Sequence, residues 1–158
     1  RKGFDFVAGL ITGYNGYKDK EQRRDCDRML SHTITTRLQE RKSVVDRAIA
    51  ESSRKFQFDN LEPLELVKRK IERVGDLVRY APAGYSGFFD TAEVGAEQLD
   101  QIYNNDMAVL QRLDELAYLI DALPKAPDVP AAADACIDAL QNIEKAALER
   151  DHLMMELK

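Results

Sequence analysis

The sequence has no tryptophan, only two cysteines in 158 residues, and few prolines or glycines outside three short stretches. Cys26 and Cys136 stand far apart, without the close spacing of a zinc or redox site, so neither a metal staple nor a disulfide framework is implied. Both are expected to be reduced, partly buried core thiols, which fits a cytoplasmic protein. No stretch approaches the roughly 18 consecutive apolar residues of a membrane-spanning helix. Arg1 and Lys2 ahead of the apolar run from Phe4 to Ile11 resemble the start of a signal peptide. Asp5 interrupts that run and no small-residue cleavage site follows, so the segment is not read as one. Also missing are a Gly-x-Ser-x-Gly elbow, a Gly-x-x-x-x-Gly-Lys phosphate loop and a Gly-x-Gly-x-x-Gly fingerprint, which leaves no cofactor site and no catalytic residue to name.

What the chain does have is 44% hydrophobic and 32% charged residues, with Glu, Lys, Arg, Leu and Ala prominent. That composition belongs to a globular, helix-rich protein, and the length suits one domain over residues 1–158 with a core that needs no covalent staple. From Tyr17 to Glu62 there is neither Gly nor Pro, and Leu30, Ile34, Leu38, Val45, Ile49 and Phe56 form one apolar stripe, so a single long helix is predicted. The β-branched cluster Thr33 to Thr36 is its weak point, where a bend or break is an alternative. A second helix is predicted from a cap at Asp59 or Asn60, through Pro63 in its first turn, to Tyr80, with Leu64, Val67, Ile71, Val74 and Val78 buried. Pro82, Gly84 and Gly87 then make a loop. Asp90 and Glu93 open a third helix, with Leu99, Ile102, Leu113 and Ile120 at the centre of the core, and the Pro-rich Pro124 to Pro130 ends it. A fourth runs from about Ala131 to the C-terminal end. These elements predict an all-α, antiparallel four-helix bundle with a long first helix and a Gly-rich N-terminal arm over residues 1–17.

Glu149 and His152 have the Glu-x-x-His spacing of di-iron bundles, but such a site needs a second copy and two further carboxylates. His32 has Met29 where its Glu should be, so no metal site is predicted. Charge is more informative. Residues 1–80 carry 18 basic and 13 acidic residues, a balance of +5, and residues 81–158 carry 5 and 15, a balance of −10. The favoured reading is internal complementarity, a basic first hairpin packed beside an acidic second one. A nucleic-acid site on Lys18 to Lys55 is disfavoured, because seven acids dilute its eleven cations and that helix carries no aromatic for base stacking until Phe56.

The function that remains is a non-enzymatic interaction module, an adaptor, scaffold or assembly component that presents helix faces. Three surfaces are candidates. Gly9, Gly13 and Tyr14 lie on the arm, where two glycines four apart allow close backbone approach. Tyr85, Phe88 and Phe89 crowd the loop after the second helix and could either cap the bundle or anchor a partner. Leu30, Ile34 and Leu38 lie on the first helix, which at about 58 Å would overhang a second helix of about 27 Å. A second copy of the chain, giving a homodimer, would cover that overhang. The rival readings are a peripheral membrane protein that uses the arm, and a ligand-binding or enzymatic bundle without a recognisable motif.

Overall fold

The computed structural model describes residues 20–80 and 96–155, and all of its long elements are helical. They are α1 (Lys20–Arg54), α2 (Leu61–Tyr80), α3 (Ala96–Asp121) and α4 (Val129–Met155), with single 3-10 turns at Phe58–Asn60 and Leu123–Lys125. The all-α bundle of four helices predicted from hydrophobic periodicity is therefore present, while the Gly-rich arm lies outside the described residues.

α1 does not break at its threonines. The Thr35 hydroxyl donates to the carbonyls of Ser31 (2.9 Å) and His32 (3.1 Å), while Ile34 beside it is 4% exposed. Burying Ile34 is worth about 1.5–3 kcal/mol, more than the several tenths that each threonine costs a helix. Further along, Arg41 and Lys42 interrupt the apolar stripe. Both are half-buried, and their charged heads leave in different directions, Arg41 to Asp121 on α3 and Lys42 to Glu72 on α2.

The α2 face is the one predicted: Leu64, Val67, Ile71, Val74 and Val78 are all buried, spaced three and four apart. Pro63 sits in the first turn, where a missing N–H breaks no helical hydrogen bond. At the start of α4, Asp128 accepts a hydrogen bond from the Ala131 N–H (3.1 Å), and with this side-chain cap the helix begins at Val129, two residues before the Ala131 expected from the sequence.

Directions follow from the pairs that join the helices. Lys42–Glu72 and Lys68–Asp46 make α1 and α2 antiparallel. Asn105 to the Ala146 carbonyl and Arg112 to the Asn142 carbonyl do the same for α3 and α4. Arg37–Asp114 and Arg41–Asp121 advance together, so α1 and α3 run parallel. α2 packs on α4, so the helices follow one another around the bundle in the order α1, α2, α4, α3. Each hairpin is antiparallel, neighbours across the two hairpins are parallel, and both tight turns lie at one end.

The charge asymmetry is used internally. Arg37–Asp114, Arg41–Asp121, Lys70–Glu144 and Arg73–Glu144 each take their cation from the first hairpin and their anion from the second. The Lys70 ammonium donates to Glu144 and, with Arg73 nearby, holds its carboxyl below the usual range. Partly solvated pairs of this kind contribute about 0–1 kcal/mol each, and their effect is to select which helices meet.

One pair differs in kind. Asp106 on α3 is fully buried, and the Arg150 guanidinium, 8% exposed, donates to it from α4 at 2.7 Å. Cys136 is also fully buried and is a free thiol. Burial pushes the Cys136 thiol up to about 11. A raised pKa stabilises the fold below the ordinary thiol value and loses that contribution as pH climbs towards 11. Alkylation of the native protein by iodoacetamide at pH 8 should therefore leave Cys136 unmodified until denaturant is added. Rapid native labelling of Cys136 would mean that α4 opens locally.

Candidate functional site

Among the described residues, the bundle departs from a closed pattern at the end where both tight turns meet. α1 stops in a hydrogen-bonded C-terminal turn. The Gln57 N–H donates to the Ser52 carbonyl (2.8 Å) and the Phe56 N–H to the Ser53 carbonyl (3.1 Å), which leaves Phe56 in the position that glycine usually takes. Phe56 has φ of 59°, the left-handed region that bulky side chains avoid. Its ring gains no burial in return, being 78% exposed, and it meets the 59%-exposed Phe58 edge to face at 6.0 Å.

Beneath this pair a groove of about 770 Å³ runs between the two turns, walled by Phe56 and Phe58 on one side and Pro124, Pro127 and Pro130 on the other. Its polar groups are largely occupied. Glu51 accepts from Arg54 (2.5 Å) and Lys55 (3.1 Å), which together hold its carboxyl below the usual range, and Asp128 caps α4. The buried Ser52 hydroxyl accepts from the Asn60 amide at 3.4 Å. The groove thus offers a visitor a largely polar lining edged by ring and proline surface.

A smaller groove of about 340 Å³ opens on the other side of Phe58, lined by Phe58, Asp59, Glu62, Pro63, Leu66, Asp134 and Ile137. Leu66 is 46% exposed there.

The sequence-predicted surfaces fare differently. Leu30, Ile34 and Leu38 are 2%, 4% and 2% exposed in a single chain, so they belong to the core rather than to an exposed interaction surface. The apolar overhang that a second copy was expected to cover is thus already buried, although α1 does continue beyond the level at which α2 ends. Gly9, Gly13 and Tyr14 on the arm, and Tyr85, Phe88 and Phe89 on the loop, lie outside the described residues. Phe56, placed by periodicity on the buried stripe of the first helix, is instead past the helix end and exposed. His152 is exposed, and among the described residues no three His, Cys, Asp or Glu side chains group to hold a metal. No helix among them is long and apolar enough to cross a membrane.

No family model, curated protein or solved structure matches the chain.

Proposed function

We propose that this chain is a non-enzymatic helical interaction module, an adaptor or assembly component, and that its contact surface is the bundle end around Phe56 and Phe58. The carrying observation is Phe56 itself. An exposed phenylalanine held in the left-handed region costs the fold about 1–3 kcal/mol without burying anything, and strain of this kind collects where a surface is used. Exposed aromatic rings beside a ready groove are the usual anchors of protein interfaces.

Two substitutions separate strain from packing. Phe56→Gly removes both ring and strain, whereas Phe56→Ala removes the ring alone. The glycine variant should be about 1 kcal/mol more stable than the alanine variant in urea unfolding, and at least as stable as the natural chain. If both variants lose about 2 kcal/mol or more, the ring is a structural part of the fold and the proposal loses its support. Contact is tested with a benzophenone side chain at position 56 or at Tyr118, which is also 78% exposed but lies on α3. In an extract of the source cells, a discrete adduct should form from position 56 and not from position 118.

A further inference from the structure

We infer that the smaller groove beside Phe58 recognises a basic amphipathic peptide segment of a partner protein. This rests on reading the bundle end as a docking surface, and it names the chemistry that the surface selects. The groove lies on the seam between α2 and α4. Further along that seam, charges are matched: Lys70 and Arg73 on α2 meet Glu144 on α4. At the groove the matching fails. Asp59 and Glu62 stand on the α2 side and Asp134 on the α4 side, with no Lys or Arg among the lining residues. None of these three carboxylates makes an ion pair among the described residues, whereas Asp46, Glu72, Asp114 and Asp121 at the other helix seams each do.

Between these acids lie the exposed faces of Phe58 and Leu66, with Ile137 half-buried beneath. A seam with acid on both sides and an apolar floor fits a segment that inserts one or two aliphatic side chains while placing Lys or Arg over the rim. A helix with apolar residues three or four apart and cations flanking them has that form. The net charge of −5 would also draw a cationic segment from a distance at low salt.

The test is selection of a random peptide library displayed on phage against the full chain, followed by affinity measurement on a synthesised consensus peptide. The enriched peptides should be net positive and carry aliphatic or aromatic residues. Leu66→Ala should weaken the consensus peptide about fivefold, and Asp59→Asn with Glu62→Gln and Asp134→Asn about tenfold or more. A control triple on the outer face of α3, Glu97→Gln with Asp100→Asn and Glu115→Gln, should change affinity less than about twofold. All of these positions are exposed, and circular dichroism verifies that each variant folds.

Equal weakening by the control triple would show diffuse attraction to an acidic protein and would overturn the inference. Enriched peptides that are neutral or acidic, yet lose binding on Phe58→Ala, would also overturn it while leaving the docking surface in place. Enrichment indifferent to Phe58→Ala, or none at all, would remove both. Sedimentation equilibrium gives the remaining outcome: self-association abolished by Leu66→Ala would make a second copy of the chain the occupant and not a basic peptide.

Discussion

Arg150→Ala is expected to lower the unfolding free energy by about 3–5 kcal/mol, the largest effect of any single change outside the apolar core. The size comes from Asp106, which is fully buried and would keep its carboxylate in the α3–α4 seam without the Arg150 guanidinium. The complementary experiment replaces both partners, Asp106→Leu with Arg150→Met. Two apolar side chains of similar volume should recover most of the loss, because neither charge then has to be desolvated. Urea unfolding of the two single variants and the double closes a cycle whose coupling energy isolates the pair. A loss below about 1 kcal/mol for Arg150→Ala would mean that water reaches Asp106 and that the pair behaves as a surface bridge.

Leu113→Ala should cost about 2–5 kcal/mol. Leu113 is 3% exposed and shares a continuous core with Leu110, Leu116, Leu140 and Ile143, each of them 1% exposed or less. Removing its isopropyl end leaves a cavity lined by helices already fixed by ion pairs on their outer edges, so collapse around it is limited. Leu148→Ala on α4 is the matched control, since that leucine is 47% exposed and its truncation should stay within about 0.5 kcal/mol. Equal losses from the two would place the core somewhere other than where the helix faces put it.

Helix faces were legible from spacing alone wherever one rule governed. The α2 residues 64, 67, 71, 74 and 78 are an example, because burial of one face there agrees with helix propensity and with the position of Pro63. At Thr33 to Thr36 two rules conflict, and only the burial of Ile34 decides that the helix continues. At Phe56 the apolar period runs on one step after the helix has ended. A helix end with glycine would have announced itself, whereas this one uses a phenylalanine and leaves no punctuation to read.

Asp106 and Arg150 were missed for a related reason. On α3 the buried positions 102, 106, 109 and 113 follow one another at helical spacing, and hydropathy passes over 106 because its side chain is charged. Arg150 likewise continues the run of Ile143 and Ala146. The usable signal was a charged residue at a core register on each of two helices that pack together, and that becomes visible only once the pairing of α3 with α4 is known. The aromatic end was hidden for the same kind of reason, since it forms from two turns separated by more than sixty residues of chain.

The helix directions also fix a reach. Lys20 and Met155 both lie at the end of the bundle away from the two tight turns, while Phe56 and the prolines lie at the other. With 35 residues in α1 and 27 in α4, Lys20 stands roughly 50 Å and Met155 roughly 40 Å from the turn end. A bead, fluorophore or solid support fixed at either of those helix ends therefore stands a full helix length from the aromatic pair and turns the bundle into a stiff spacer that holds whatever it grips at a set distance from its anchor.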